Sequence, residues 1–261
     1  MVVSLFVIVS SVLLVALCNH AIPPIFNLDL MIVTGVLSTY FFEFIVRYFS
    51  YKKLGEQAIG GNVTLIRNYA WLFLSPGYFF SRLLKDKIKH SETVKTIKAD
   101  FIKFSNKNNL HISSAIFLFL TVIWLLQTKV DEYTYNVLMS FFVGMVTFRV
   151  ISRSSEIIYA FVNDVLDEEN SATTSLTKFD RVKLALNSYV ESILNFASLY
   201  FLLYKSKSTL SCLFDSIGIS TISSVKPVDG DSLVNIAVYG QVITSLVLVV
   251  LSLAVYVSRK K

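Results

Sequence analysis

Charge is scarce in this chain: only 16% of its 261 residues are Asp, Glu, Lys or Arg, where a water-soluble domain carries roughly 25%. Such poverty argues against an ordinary soluble domain. Two cysteines, Cys18 and Cys212, are too few for a disulfide scaffold or a zinc cluster. Both fall toward the expected outer side of the topology derived below, so a bridge between them would depend on a distance that spacing alone does not set. Three scattered histidines, His20, His90 and His111, offer no metal-ligand spacing. No nucleophile elbow, HExxH motif, paired-carboxylate arrangement or glycine-rich phosphate loop occurs, so neither catalysis nor a cofactor is expected.

What the chain has instead is apolar residues, 54% of the total, with 14% aromatic and a mean hydropathy of +0.62. The bilayer is therefore the expected solvent, and the natural unit of counting is a span of about 20 residues. Apolar stretches near 1–18, 30–48, 111–128, 134–151, 185–204 and 233–257 predict six transmembrane helices in an all-α membrane protein. The first lacks Lys or Arg ahead of its apolar run and has Leu17 where a lipoprotein cleavage site needs a small residue, so it is expected as a retained helix. A shorter apolar piece at 68–81 is flanked by Arg67 and Arg82 and broken by Pro76-Gly77, which predicts an interfacial or re-entrant segment.

Charge sorts the loops. Of 24 Lys and Arg, twenty fall between spans two and three, between spans four and five, or after span six. Only Lys129, Lys205, Lys207 and Lys226 fall on the other side. The positive-inside rule then places both termini in the cytoplasm, with the chain multi-pass in a bacterial inner membrane. A net charge of +6 carried by cytoplasmic loops is no sign of nucleic acid.

The loop 47–110 is the longest and most basic. Val94, Ile97, Phe101 and Phe104 share one helical face, and Ser91 is placed to cap it. One expectation is an amphipathic helix on the inner leaflet, with Lys85, Lys87, Lys89, Lys95, Lys98 and Lys103 toward anionic lipids. The other is a helix packed on the protein's own cytoplasmic face. The sequon Asn62-Val63-Thr64 lies on the cytoplasmic side and is read as chance. The loop 149–184 carries Asp167, Glu168 and Glu169 and then SATTSLT, the composition of a connector.

Between the last two spans, TLSCLFDSIGISTISSVKP starts with an apolar turn or two and ends in small hydroxyl residues before Pro227. That order suits a re-entrant pore loop, in which irregular backbone lines water or protein. Along the final helix, Ala237, Gln241, Ser245, Leu248 and Ser252 gather small and polar residues on one face. Gln241, Ser245 and Ser252 are the pore-lining candidates, and small-residue helix packing is the competing reading.

The runs RVISRSSEIIYAFVNDVL, KFDRVKLALNSYVESILNFASLYF and LFDSIGISTISSVKPVDG, continuing into the last helix, resemble a bacterial family of potassium-channel-like membrane proteins. Members place a two-helix pore module at the C-terminus, so the resemblance implies a homotetramer with a pore formed by 185–261. A four-helix region over 1–151 and a connector over 152–184 would then surround it. Aligned on Pro227, Ser220, Thr221, Ile222, Ser223 and Ser224 stand where that family carries a glycine-containing filter. Without those glycines, a stack of carbonyls around a dehydrated potassium ion is hard to build. The expectation is a cation-permeable pore without strict potassium selectivity.

Ionisable residues inside spans call for partners. Glu43 and Arg47, four apart, are expected to pair. Glu191, flanked by Asn187 and Asn195, is expected to hold a neighbouring helix through Arg149 or Arg153, or to stand at the inner mouth of a pore. Arg149 and Arg153 alone do not make a voltage sensor. The functional expectation is an oligomeric ion channel or channel-like protein. The alternative is a non-conducting scaffold or sensor that recruits a cytoplasmic partner, for example in a stress or phage-defence system. A small transporter lacks its expected internal repeat.

Overall fold

The computed structural model describes residues 28–54, 69–86, 88, 94–166, 175–204, 207–225 and 231–249. Among these the chain is all-helical. The helices are α1 (Leu28–Lys52), α2 (Ala70–Leu74), α3 (Pro76–Asp86), α4 (Val94–Leu126), α5 (Glu132–Leu166), α6 (Lys178–Leu203), α7 (Thr209–Ser220) and α8 (Ser232–Leu246). The expected first span 1–18, Cys18, the cap Ser91, the sequon and Ser252 lie outside the described residues.

Among the described residues four helices are long and apolar enough to cross a membrane: Asp29–Lys52, Val94–Leu126, Glu132–Asn163 and Ser232–Val249. The chain is therefore a membrane protein by the length and composition of its helices. The expected fifth span forms as α6, 26 residues long, but Asn187, Glu191 and Asn195 dilute its apolar character and it is not among the four.

Two helices outrun their predicted spans. At 33 and 35 residues, α4 and α5 are about 50 Å long, against a hydrocarbon core of about 30 Å. The amphipathic stretch at 94–104 is thus the first three turns of α4, continuous with the expected third span. Its Phe101 is buried against Tyr51, Leu84 and Ile88, with Ile97 packed beside them. That apolar face covers the protein itself, the second of the two readings for this stretch. In the same way α5 carries the expected fourth span on into the expected connector, ending at Leu166.

The contacts divide the chain into two units, each drawing on the N-terminal, central and C-terminal thirds. Unit 1 comprises Met1–Phe42, His111–Val150 and Glu191–Val242; unit 2 comprises Glu43–Leu110, Ile151–Val190 and Ile243–Lys261.

In unit 1, α1 and α5 cross at reciprocal glycines. A Cβ on Gly35 would lie 2.1 Å from the Phe141 carbonyl oxygen, and one on Gly144 would lie 2.0 Å from that of Ile32. Only glycine permits this approach, the small-residue device by which membrane helices gain contact area when lipid supplies no hydrophobic drive. Thr39 ties the crossing by donating to the carbonyls of Gly35 and Met145, each at 3.1 Å.

In unit 2 the expected break at 68–81 is visible as two helices meeting at Ser75. Ser75, Pro76 and Gly77 are all buried, and the Ser75 hydroxyl donates to the Ser152 carbonyl at 2.9 Å. Pro76 opens α3, where a missing N–H costs nothing. Phe80 of α3 packs edge-on to Phe44 of α1, with ring centroids 5.2 Å apart. Trp71, Tyr78 and Tyr159 form a trio with centroids 4.6–5.0 Å apart.

Candidate functional site

Three polar groupings stand among the described helices, and each is built from different chemistry. The C-terminal one is uncharged. Ser208 caps α7, accepting from the Ser211 backbone N–H at 3.2 Å. The helix then runs twelve residues to Ser220. Gln241 of α8 is wholly buried. Its Nε2 lies 2.9 Å from the Ser216 carbonyl oxygen, 2.7 Å from Ser216 Oγ and 2.6 Å from Ser220 Oγ. Its Oε1 accepts from the Tyr200 hydroxyl of α6 at 2.7 Å, and Ser216 Oγ donates to the Ile193 carbonyl at 2.8 Å. One side chain thereby joins α6, α7 and α8. Gln241 and Ser245, expected on a pore-facing surface, are both buried inside the chain.

Residues 220–224 adopt a helix-ending turn. Ser223 N–H donates to the Gly218 carbonyl at 2.9 Å and Ile222 N–H to that of Ile219 at 3.0 Å, the paired bonds of a Schellman cap. Ile222 occupies the left-handed position at φ 60°, where glycine is usual and a β-branched residue is strained. Gly218 accommodates the returning chain, since a Cβ there would lie 2.8 Å from the Ser224 Cβ. Of the five filter-position residues, Ser220 is buried and bound to Gln241, while Thr221, Ile222, Ser223 and Ser224 are exposed. Thr221 Oγ1 and Ser223 Oγ lie 2.8 Å apart. This turn displays the hydroxyl residues Thr221, Ser223 and Ser224 together with the Ile222 side chain, while the Gly218 carbonyl is consumed by the cap.

The second grouping, also in unit 1, pairs Arg149 with Glu191 at 3.7 Å, and Arg149 Nη2 donates to Ser113 Oγ at 3.3 Å. Arg149 is one of the two partners foreseen for Glu191.

The third, in unit 2, is ionic throughout. Arg47 Nη1 lies 2.8 Å from Glu43 Oε2 and donates to Asn109 Oδ1 at 2.8 Å, while its Nη2 lies 2.7 Å from Glu156 Oε2. Arg153 also pairs with Glu156. Glu43 and Arg47 are fully buried. A Cβ on Gly77 would come within 2.6 Å of Glu43 Oε2, 2.7 Å of Arg47 Nη2 and 2.9 Å of Glu156 Oε2. The first turn of α3 therefore presses directly on the cluster, its positive helix end beside two carboxylates. Two arginines and two glutamates pair within the cluster, and the charge of Lys85 on α3 also acts on Glu156. Glu156, Asn109 and Gly77 are the residues that reading along the chain misses. Glu156 stands five residues beyond the predicted end of span four, and its i,i+3 relation to Arg153 was the available signal.

Outside the spans, two carboxylates titrate low. Asp131 is held down by the Thr134 backbone N–H. Burial pushes Asp180 up, but hydrogen bonds from Lys103 and Thr177 outweigh it and hold it below the usual range. Lys103, expected to face lipid, instead lies 3.0 Å from Asp180. Among the described residues no group of His, Cys, Asp and Glu is arranged to hold a metal, and Cys212 is buried. No family model, no curated protein and no solved structure matches this chain, so nothing among them identifies a potassium-channel-like family.

Proposed function

We propose that the protein is an oligomeric, channel-like membrane protein that forms a cation-permeable path without strict potassium selectivity. The observation that carries this reading is the Gln241 junction. It fixes a short apolar helix, α7, between α6 and α8 so that α7 ends in a turn of exposed hydroxyls. In this reading α7 is the re-entrant element between the fifth and sixth of six spans. Four copies meet at an axis, and Thr221, Ser223 and Ser224 offer hydroxyls to partly hydrated cations. Both termini are cytoplasmic in a bacterial inner membrane, and no cofactor takes part.

The purified protein in planar bilayers is expected to conduct monovalent cations with little discrimination between potassium and sodium. Silence under every ion gradient would sink the channel reading. A closed fourfold ring with 210–227 at its axis would support it.

A second reading, a non-conducting scaffold or sensor that recruits a cytoplasmic partner, is favoured by two features of the same module. Gln241 and Ser245 are buried inside the chain, and the Gly218 carbonyl is already bonded. It predicts silent bilayers together with an intact oligomer.

A further inference from the structure

Three cations of unit 2 are engaged by carboxylates. Arg47 and Arg153 bind glutamates inside the helices, and Lys103 binds Asp180. Three cations outside these pairs stand together where α1 ends and α4 becomes apolar. Lys52, Lys53 and Lys107 are exposed, and none has a carboxylate partner among the described residues.

The local sequence explains why Lys107 is left outside. In the run Asn106-Lys107-Asn108-Asn109 each asparagine is committed inward: Asn106 donates to Ser188 at 2.8 Å, Asn108 to Ser50 at 3.0 Å, and Asn109 accepts from Arg47 at 2.8 Å. Three of the four directions are thus taken by packing, and the lysine occupies the fourth. Lys53 is drawn to the same spot, its Nζ 4.1 Å from the centre of the Phe104 ring, which lies one turn before Lys107 on α4.

Immediately toward the apolar part of α1 stand Tyr48 and Phe49, 44% and 43% exposed. They precede Lys52 and Lys53 by four residues each and so share their faces. This order of exposed aromatics and then unpaired lysines at the end of a membrane helix matches the layering of a leaflet, acyl chain below and phosphate above. A soluble phosphate would meet the lysines but leave Tyr48 and Phe49 bare. A phospholipid covers both.

We propose that Lys52, Lys53 and Lys107, with Tyr48 and Phe49 beneath them, form a binding site for one anionic phospholipid. The site rests on the membrane character of α1 and α4 alone, so it stands or falls separately from conduction. It also moves the lipid contact away from the amphipathic start of α4, whose apolar face is buried on the protein.

The test uses the full chain, purified in a neutral detergent and incubated with equal amounts of phosphatidylglycerol and phosphatidylcholine, with retained lipid weighed by native mass spectrometry. Each cation near a membrane surface contributes roughly a fivefold preference, so the wild type is expected to favour phosphatidylglycerol by on the order of twentyfold or more. K53Q/K107Q should reduce that preference about twentyfold, while K53R/K107R and the distant K95Q keep it. Because Lys53 also packs on Phe104, K52Q/K107Q serves as the variant that leaves this contact in place, and it too should lose most of the preference. Unchanged selectivity in K53Q/K107Q or K52Q/K107Q overturns the proposal. Displacement of the lipid by millimolar glycerol phosphate overturns it as well, since the acyl chain would then be irrelevant.

Discussion

The Gln241 junction and the Glu43–Arg47–Glu156–Arg153 cluster answer the same problem, polar groups in apolar helices, by opposite means. At Gln241 every group is neutral, and the amide bonds Tyr200, Ser216 and Ser220 at once. In the charged cluster two arginines share two glutamates, and Arg47 Nε has no hydrogen-bond partner among the described residues. Neutral interhelical hydrogen bonds in membranes are each worth roughly 0.6–1.7 kcal/mol, because unassembled helices also find partners. A buried charge stripped of its partner costs about 3–5 kcal/mol. The first arrangement places α7 and costs little to lose, while the second carries the larger penalty if one member is removed.

The largest expected effect follows from breaking the cluster's charge balance. Arg47→Met removes the buried guanidinium that pairs with both Glu43 and Glu156 and should destabilise the protein by about 3–5 kcal/mol, read as a loss of thermal stability in detergent. Adding Glu43→Gln should recover a substantial part, because the pair then leaves together. If the double variant is no more stable than the single one, the ionic account of the cluster is wrong. Next comes Gly77→Ala, which pushes a methyl into Glu43 and Arg47 and should cost about 1–3 kcal/mol. Its effect should shrink in the Arg47→Met background, where the cluster has already loosened.

Gln241→Leu removes the neutral junction and leaves Tyr200, Ser216 and Ser220 short of a partner, an expected loss of about 1–2 kcal/mol. In bilayers the same change should depress conductance more than it depresses oligomer stability; the reverse ranking would make Gln241 a packing residue only. Ile222→Gly should have the opposite sign, stabilising the cap of α7 by about 1 kcal/mol as the left-handed strain is relieved. A loss of stability there would mean that the exposed Ile222 side chain makes a contact worth more than its strain.

The smallest effect is one of acidity. Asp131 and Asp180 both have folded-state pKa values below the ordinary Asp value of about 3.9. Their contribution is therefore complete above that value and lost as pH falls through the lower folded one. Hydrogen exchange at Thr134 and Thr177, whose backbone N–H groups bond these carboxylates, should speed up only in that acid range. Asp131→Asn and Asp180→Asn should flatten the dependence.

Much of the architecture is legible in the amino-acid sequence. Apolar runs located the cores of α1, α4, α5, α6 and α8, and the Pro76-Gly77 break located the boundary between α2 and α3. The i,i+4 spacing of Glu43 and Arg47 was enough to pair them, since helical geometry is local. Helix ends were poorly legible. Span prediction stops where hydropathy falls, but a helix stops only where its backbone bonding fails, so α5 runs on past Ile151 and carries Glu156 with it. The face of Gln241 was legible as polar, but its direction was not. Periodicity groups residues on a side without naming what that side meets.

The amino-acid sequence by itself determined the membrane-helical character of this protein, the rarity of its charges and their i,i+3 and i,i+4 relations, because these depend on composition and on neighbours within a few residues. Tertiary structure alone decided that Arg47 is shared by two glutamates 109 residues away and four residues away, that Gln241 turns inward, and that the 220–224 turn closes as a cap. Those outcomes depend on which helices come within hydrogen-bond reach. Contacts such as Gly35 on Phe141 and Gly77 on Glu43 set that reach, and they join positions too far apart in the chain for any local pattern to connect.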